Sequence, residues 1–400
     1  MSYAMEATRF MDSKVYVSPV EYKIERAQRR GRCYLLQITL CLIGVSILFG
    51  LGARCIYRAA NKENITPMRK QLEDFKKLTS EYSDEVFDGF EQFLKFNNKT
   101  YFSIKEHWKR FTIFSKNFKE IQDRKAKAIN TEFDAISPFT DLEDEELKKR
   151  LMPFTEAPRA ANMPRFDTSP GWITAVNRPE SFDWRDKGAV LGIKDQGQCG
   201  SCWSFAVVAV CESMSIIHGG SGNRRKLSEQ ELLDCDLKDN GCNGGFRPNA
   251  FKFVKEKGLV DEASYEYTAK KGQCKLPSGQ NKSRVFVDEV YGFDPNENDM
   301  ADWIATKGPI TIGVNVTKGM FSYRSGVFSP TPEECRYQSL GSHAMAVIGY
   351  GTLKGEDYWL LKNSWGVVYG QAGYLKMRRG VNSCGIANNA YTALITKPHN

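Results

Sequence analysis

Residues 33–53 read CYLLQITLCLIGVSILFGLGA, a run of 21 residues without a charge. As a helix at 1.5 Å per residue it measures about 30 Å, the thickness of a bilayer's hydrocarbon core. A core helix of that length would keep a polar face, and this run has none. A cleaved signal peptide fits less well, because 32 residues precede the run and the run outlasts an ordinary signal core. The chain is therefore expected to be divided into a tail at 1–32, a transmembrane signal-anchor at 33–53 and a portion beyond it that folds by itself. Lys23, Arg26, Arg29, Arg30 and Arg32 precede the run, against Arg54, Arg58 and Lys62 after it. The positive-inside rule then places 1–32 in the cytosol and the rest in a lumen or outside, a single-pass type II topology. Four N-x-[ST] sequons, at Asn64, Asn98, Asn281 and Asn315, all lie on the luminal side, as glycosylation sites must.

The net charge of +8 is spread over 400 residues, with no basic stripe interleaved with aromatics, so nucleic-acid binding is not expected. The chain is 41 % hydrophobic, which excludes a disordered protein. Cys33, Cys41 and Cys55 lie in or beside the apolar run. The other eight of the eleven cysteines lie between Cys199 and Cys384, which points to disulfides in an oxidising compartment or to a metal site.

Residues 54–83 read as a stalk. Helical patterning follows over 84–129, where Glu106, Arg110, Phe114, Asn117 and Ile121 recur at spacings of three or four. Spacing alone makes this an ordinary amphipathic helix with solvated charges. Prolines 153, 158, 164, 170 and 179 break periodicity and mark a linker. From Arg178 the chain reads as helices first, over 202–218, after a Ser228/Glu231 capping box, and over 247–257. Strands follow over 284–291, 309–316, 343–350, 357–363 and 373–378. Helices then strands predict an α+β domain rather than an alternating parallel sheet.

The segment QGQCGSCW holds a C-x-x-C formed by Cys199 and Cys202. A zinc site lacks a second pair at suitable spacing, since Cys235 and Cys242 are seven apart. A thioredoxin-like redox pair lacks its βαβ setting. The physics favours Cys202 as a nucleophile opening a helix, with Cys199 in a disulfide. A thiol at a helix N-terminus feels the positive end of the dipole and ionises more readily. Among His107, His218, His343 and His399, elimination leaves His343 as its partner, the one that starts an apolar strand. Asn363 can hold the imidazole, with Trp365 shielding that bond from water.

In order and spacing, the segments QGQCGSCW, SEQELLDC, GCNGG, SHAMAVIGYG and KNSWG resemble papain/cathepsin L-type cysteine proteases, and the resemblance covers roughly residues 84–400. It implies a two-lobe α+β fold, one lobe helical and one β-barrel-like, with the cleft between them and a helical inhibitory propeptide in front. The implied divisions are 84–177 for propeptide and linker and 178–400 for the catalytic domain. Glu106, Arg110, Phe114, Asn117 and Ile121 match the family's propeptide helix, with Lys125 in place of its usual last Asn. Phe139 and Asp141 match the short motif after it, where Ala135 and Ser137 replace Gly and Asn. The mature domain departs at Ser204 and Tyr369.

Carried over by position, Cys202 is the nucleophile, His343 the acid/base, Asn363 the residue that orients it and Gln196 the oxyanion donor. Gly244 and Gly245 would bind substrate backbone in a cleft that Trp365 adjoins. Phe246, Arg247, Gly313, Gly341, Ala344 and Asn389 would form the pocket for the side chain two positions before the scissile bond. With three Gly or Ala positions and Phe246 as a wall, and with Arg247 turned to solvent, that pocket is expected to prefer Leu, Val or Phe; with Arg247 lining its rim instead, it would favour acidic side chains. The resemblance further implies disulfides Cys199–Cys242, Cys235–Cys274 and Cys335–Cys384, with Cys211 a buried thiol. It implies no cofactor and no metal. The implied partners are protein and peptide substrates, the chain's own propeptide and cystatin-like inhibitors. The mature enzyme is expected in an acidic lysosome- or vacuole-like compartment. With no paired histidines to close the cleft, endopeptidase action is expected rather than dipeptide trimming.

Overall fold

A computed structural model describes residues 82–153, 163–166, 178–275 and 284–396. The apolar run, the stalk, Asn64, Asn281 and His399 lie outside these residues. The described elements are, in chain order, α1 (Asp84–Phe96), α2 (Ile104–Lys127), β1 (Thr131–Phe133), α3 (Asp144–Lys148), β2 (Phe182–Asp183), α4 (Cys202–Gly219), α5 (Glu229–Cys235), α6 (Arg247–Lys257), β3 (Glu289–Gly292), α7 (Glu297–Thr306), β4 (Ile310–Thr317), α8 (Lys318–Phe321), β5 (Tyr323–Gly326), α9 (Pro332–Tyr337), β6 (Ser339–Leu353), β7 (Glu356–Lys362), β8 (Tyr374–Arg378) and β9 (Tyr391–Leu394).

The 84–129 patterning resolves into two helices. Ser103 starts the second by accepting from the Glu106 amide, and Asn98 before it takes a left-handed φ of 49°. Phe90, Phe93, Phe111, Phe114, Phe118 and Ile121 bury a small core between α1 and α2. The three-and-four spacing is thus not merely a solvated face, since Phe114, Asn117 and Ile121 are buried. Arg110 holds Glu106 at 2.7 Å and takes both oxygens of Glu146 at 2.7 Å, while Asn117 donates to the carbonyls of Thr140 and Leu142. These bonds fasten the segment that follows the helix onto it. β1 then pairs antiparallel with β5, joining this helical module to the C-terminal domain.

α4 is apolar all round and buried along nearly its whole length, the mark of a central helix. Among the described residues it alone is long and apolar enough to cross a bilayer, and it is instead the core of a folded domain, packed on β6, α5 and α6. Gly220, at φ 77°, ends it. Ser228 caps α5 as expected, but the capping box is incomplete. Glu231 is fully buried and turns its carboxylate to Arg284 and the Val260 amide.

The sheet runs β3-β9-β4-β6-β7-β8, antiparallel throughout, with β2 added on β6. This sheet makes up the strand-rich lobe. In β4, Ile310, Ile312, Val314 and Val316 bury one face, leaving Thr311, Gly313 and Asn315 on the other. The expected strand at 284–291 shrinks to β3. β9, α7 and α9 were not anticipated, although α9 carries a full Thr331/Glu334 capping box. The α+β, two-lobe reading holds, with helices α4 to α6 in one lobe and the sheet in the other.

Candidate active site

Cys202 opens α4 and is completely buried. Its sulfur accepts from the Ala344 amide at 3.3 Å, and the Cys202 and Trp203 amides also point at it. His343 lies within β6, one residue before Ala344. Its Nε2 is 2.7 Å from Asn363 Oδ1. That oxygen also accepts from the Ser364 amide at 2.7 Å, so it is an acceptor toward both groups and His343 Nε2 carries the proton. Nδ1 is left as the lone-pair nitrogen, buried and without a hydrogen-bond partner. Trp365 lies against the imidazole with ring centroids 4.5 Å apart, and stacks on Phe321 at 4.6 Å. Tyr369 backs Trp365 and donates to the Met320 carbonyl.

Gln196 is held from behind, its Oε1 accepting from Ser364 Oγ at 2.7 Å. Its Nε2 donates to the Cys199 carbonyl at 2.6 Å and to the Arg150 carbonyl at 2.8 Å. Arg150 belongs to the helical module, so a peptide carbonyl already occupies the amide expected to serve an oxyanion. Met152 continues the occupation, exchanging backbone hydrogen bonds with Ser342 at 2.8 and 3.0 Å, and Leu151 packs over Gly341. Phe139 reaches the same place, edge-on to Trp365 at 5.4 Å and to Phe321 at 5.3 Å. Sequence reasoning placed the linker from 152 onward and missed that residues 150–153 thread the cleft. No periodicity or motif marks them.

This cover sets the electrostatics. Burial pushes the Cys202 thiol up to about 11, against the pull of the amides and of Arg247. Burial likewise lowers His343 to about 4, against the Asn363 hydrogen bond. Burial of both groups beneath this cover thus favours their neutral forms, whereas the thiolate–imidazolium pair is the expectation for the uncovered site.

The cleft widens into a cavity of about 1110 Å³ lined by Gly244, Gly245, Phe246, Arg247, Gly313 and Asn389 among others. Gly341 lies instead beneath Leu151, and Ala344 against Cys202. Gly244, at φ 101°, lies beside Met152 and Pro153. Gly245 has a further reason to be bare, since a Cβ there would collide with the Trp203 indole. Of the two placements expected for Arg247, the structure shows the one that lines the pocket. Arg247 is 5 % exposed, its Nη2 donating to the Asn389 carbonyl at 2.8 Å, because α6 begins at Arg247 and aims this first side chain inward. The preference for Leu, Val or Phe thereby loses one of its conditions, a solvent-facing Arg247, while Phe246 and the small residues remain in the lining.

The structure pairs Cys199 with Cys242, Cys235 with Cys274 and Cys335 with Cys384, leaving Cys202 and Cys211 as free, buried thiols. The first bridge ties the start of α4 to the loop carrying Gly244. No cluster of metal-ligating side chains occurs among the described residues. Asn98 is exposed, whereas Asn315 lies within β4 with its Nδ2 donating to the Cys335 carbonyl at 3.4 Å, not on the surface loop a glycosylation site implies. His107 packs among Phe90, Tyr101 and Trp108, and His218 ends α4, both away from the site.

Residues 178–394 match the papain family cysteine protease profile, and residues 90–147 match the cathepsin propeptide inhibitor domain. A cathepsin L-like proteinase of Phaedon cochleariae is 38 % identical over 307 residues, 74 % of this chain and 90 % of that protein. Cathepsin F of Drosophila melanogaster is 36 % identical over 339 residues, 82 % of this chain but only 54 % of that longer protein. Among solved structures, digestive procathepsin L2 from the larval midgut of Tenebrio molitor superposes with a TM-score of 0.71 at 33 % identity, covering 78 % of this chain and 100 % of that one.

Proposed function

Because this chain belongs to the papain family of cysteine proteases, we propose that it is an endopeptidase made as a type II membrane-anchored zymogen, with residues 84–177 as its inhibitory propeptide and Cys202, His343, Asn363 and Gln196 as its reacting set. The observation that carries this reading is the Arg150 carbonyl on the Gln196 amide, at the end of a cleft that also buries Cys202 and the His343–Asn363 pair.

With the propeptide displaced, water returns and the desolvation that keeps the pair neutral falls away. The Cys202 proton passes to His343 Nδ1, and the helix N-terminal amides stabilise the thiolate left behind. The thiolate attacks the scissile carbonyl carbon, and the oxyanion accepts from Gln196 Nε2 and the Cys202 amide. His343 returns its proton to the departing amine as the C–N bond breaks, leaving a thioester acyl-enzyme. It then takes a proton from water, whose oxygen attacks the thioester carbon; the C–S bond breaks, the acyl group leaves as a carboxylic acid, and His343 gives the proton back to the Cys202 sulfur. Asn363 keeps the imidazole in the required tautomer throughout. His107 and His218 lie away from the cleft, which supports action within a chain rather than trimming from an end. The anchor at 33–53, release of the mature enzyme between residues 165 and 180, an acidic lysosome- or vacuole-like compartment and cystatin-like inhibitors as partners complete the proposal.

A peptide epoxide that traps active-site thiols, followed by mass mapping, tests it. Label is expected on Cys202 alone after processing, with hydrolysis abolished in Cys202→Ala. Hydrolysis persisting in a folded Cys202→Ala protein would sink the assignment.

A further inference from the structure

Among the described residues, Arg247 is a buried cation with no carboxylate bonded to it. Among these it hydrogen-bonds through Nη2 only, to the Asn389 carbonyl, and its Nε is buried with no partner. Its guanidinium lies 5.6 Å from the Tyr391 ring centroid, a weak substitute for an anion. The one carboxylate in the lining of the same cavity, Asp239, makes no bond to Arg247; its Oδ1 accepts from the Phe246 amide at 2.7 Å and from Asn249 Nδ2 at 3.3 Å, and its Oδ2 is buried without a hydrogen-bond partner. Burying an unpaired charge is costly, and the cost is recovered only when an anion completes the site.

The location says which anion. A Cβ on Gly313 would stand 3.0 Å from Arg247 Nη2, so the bare backbone of β4 is what leaves room for the guanidinium. Gly313 faces Ala344 across the β4–β6 ladder, and the Ala344 amide donates to Cys202 Sγ. The cation thus stands one strand-pair away from the sulfur, in a cavity that Met152 and Pro153 also line. A peptide laid along this cleft in place of residues 150–153 would project a side chain toward Arg247.

We propose that Arg247 is a specificity-determining residue that selects peptides bearing a carboxylate side chain, Glu or Asp, two positions before the scissile bond. This rests on the endopeptidase reading. The carboxylate meets the free edge of a planar guanidinium that the Asn389 carbonyl already holds in place, so little ordering remains to be done on binding.

The test uses the full chain after self-processing, with active sites titrated by the peptide epoxide. kcat/KM is measured on three peptides identical except for Glu, Gln or Leu at that position. Glu is expected to lead Gln and Leu by roughly tenfold to a hundredfold. Arg247→Met should erase that ratio, and Arg247→Lys should keep part of it. A Leu lead in the unaltered enzyme, or equal rates on Glu and Gln, overturns the proposal without needing any variant. So does Arg247→Met slowing all three peptides alike, which would assign the cation to Cys202 instead of to substrate. If the epoxide labels nothing and no peptide is cut, the endopeptidase reading itself has failed, and this proposal with it.

Discussion

Burial decides which protonation state the reacting pair occupies while the cleft is covered. With the thiol near 11, the thiolate fraction of the proenzyme should climb only in alkaline solution. Cys202 alkylation in the full chain is therefore expected to be slow at neutral pH and to become fast there once the propeptide is removed. Equal rates before and after removal would show that the cover does not control ionisation. His343 works through linkage. Its value falls from 6.5 to about 4 on burial, so between those pH values the covered state binds fewer protons than the unfolded one. Its contribution to stability is complete above 6.5 and is lost as pH falls toward 4. Glu229 and Asp239, both raised to about 7, act in the opposite sense, so the informative quantity is a difference between variants. On an inactive Cys202→Ala background, the drop in melting temperature from pH 7 to 4.5 should shrink when His343→Gln is added. An unaltered drop would remove His343 from the account. At Gln196, substitution by Ala should lower kcat about a hundred- to a thousandfold with the fold intact, the usual loss for one oxyanion donor.

At the scale of elements, two contacts decide how helices sit. α2 is tied to α3 by one guanidinium, since Arg110 bonds Glu106, Glu146 and the Asp141 carbonyl together. These groups are partly exposed, so Arg110→Ala should cost only about 1–2 kcal/mol of propeptide stability. Faster self-processing of the full chain at fixed pH is the expected readout, and an unchanged time course would contradict it. α4 and α6 meet through Gly245, which lets the loop before α6 lie flat on Trp203. Gly245→Ala should overpack that contact and destabilise the domain by about 1–3 kcal/mol, read as a lower melting temperature. Beneath Asn363, Lys194 lies 3.0 Å from Glu212 and 2.8 Å from Glu229. This buried cluster joins α4 and α5 under the site.

For the whole molecule, the anchor proposed at 33–53 implies a topology that sealed vesicles can test. A C-terminal epitope should survive added protease until detergent is supplied, and its digestion without detergent would reverse the orientation. Residues 84–153 and the catalytic domain meet through β1–β5 and through rim ion pairs, Arg124 with Glu334 at 2.8 Å and Lys318 with Glu120 at 2.8 Å. The parts of this design that repeat locally were legible in the sequence. The limits of α4, the alternation of β4 and the segments carrying Cys202, His343 and Asn363 depend on neighbours a few positions away, and periodicity reports those. Motif order pointed to the reacting residues because chemistry fixes their types. Three features were decided only by the tertiary structure. Arg247 points inward because Gly313 and Asn389, 66 and 142 residues further on, leave a space and a carbonyl for it. Gly245 is bare because of an indole from another helix. Arg150 offers its carbonyl to Gln196 because the whole helical module docks where a substrate would lie. Sequence patterns encode which face a residue presents to its own element, whereas the direction of a side chain in a pocket depends on atoms that only folding brings near.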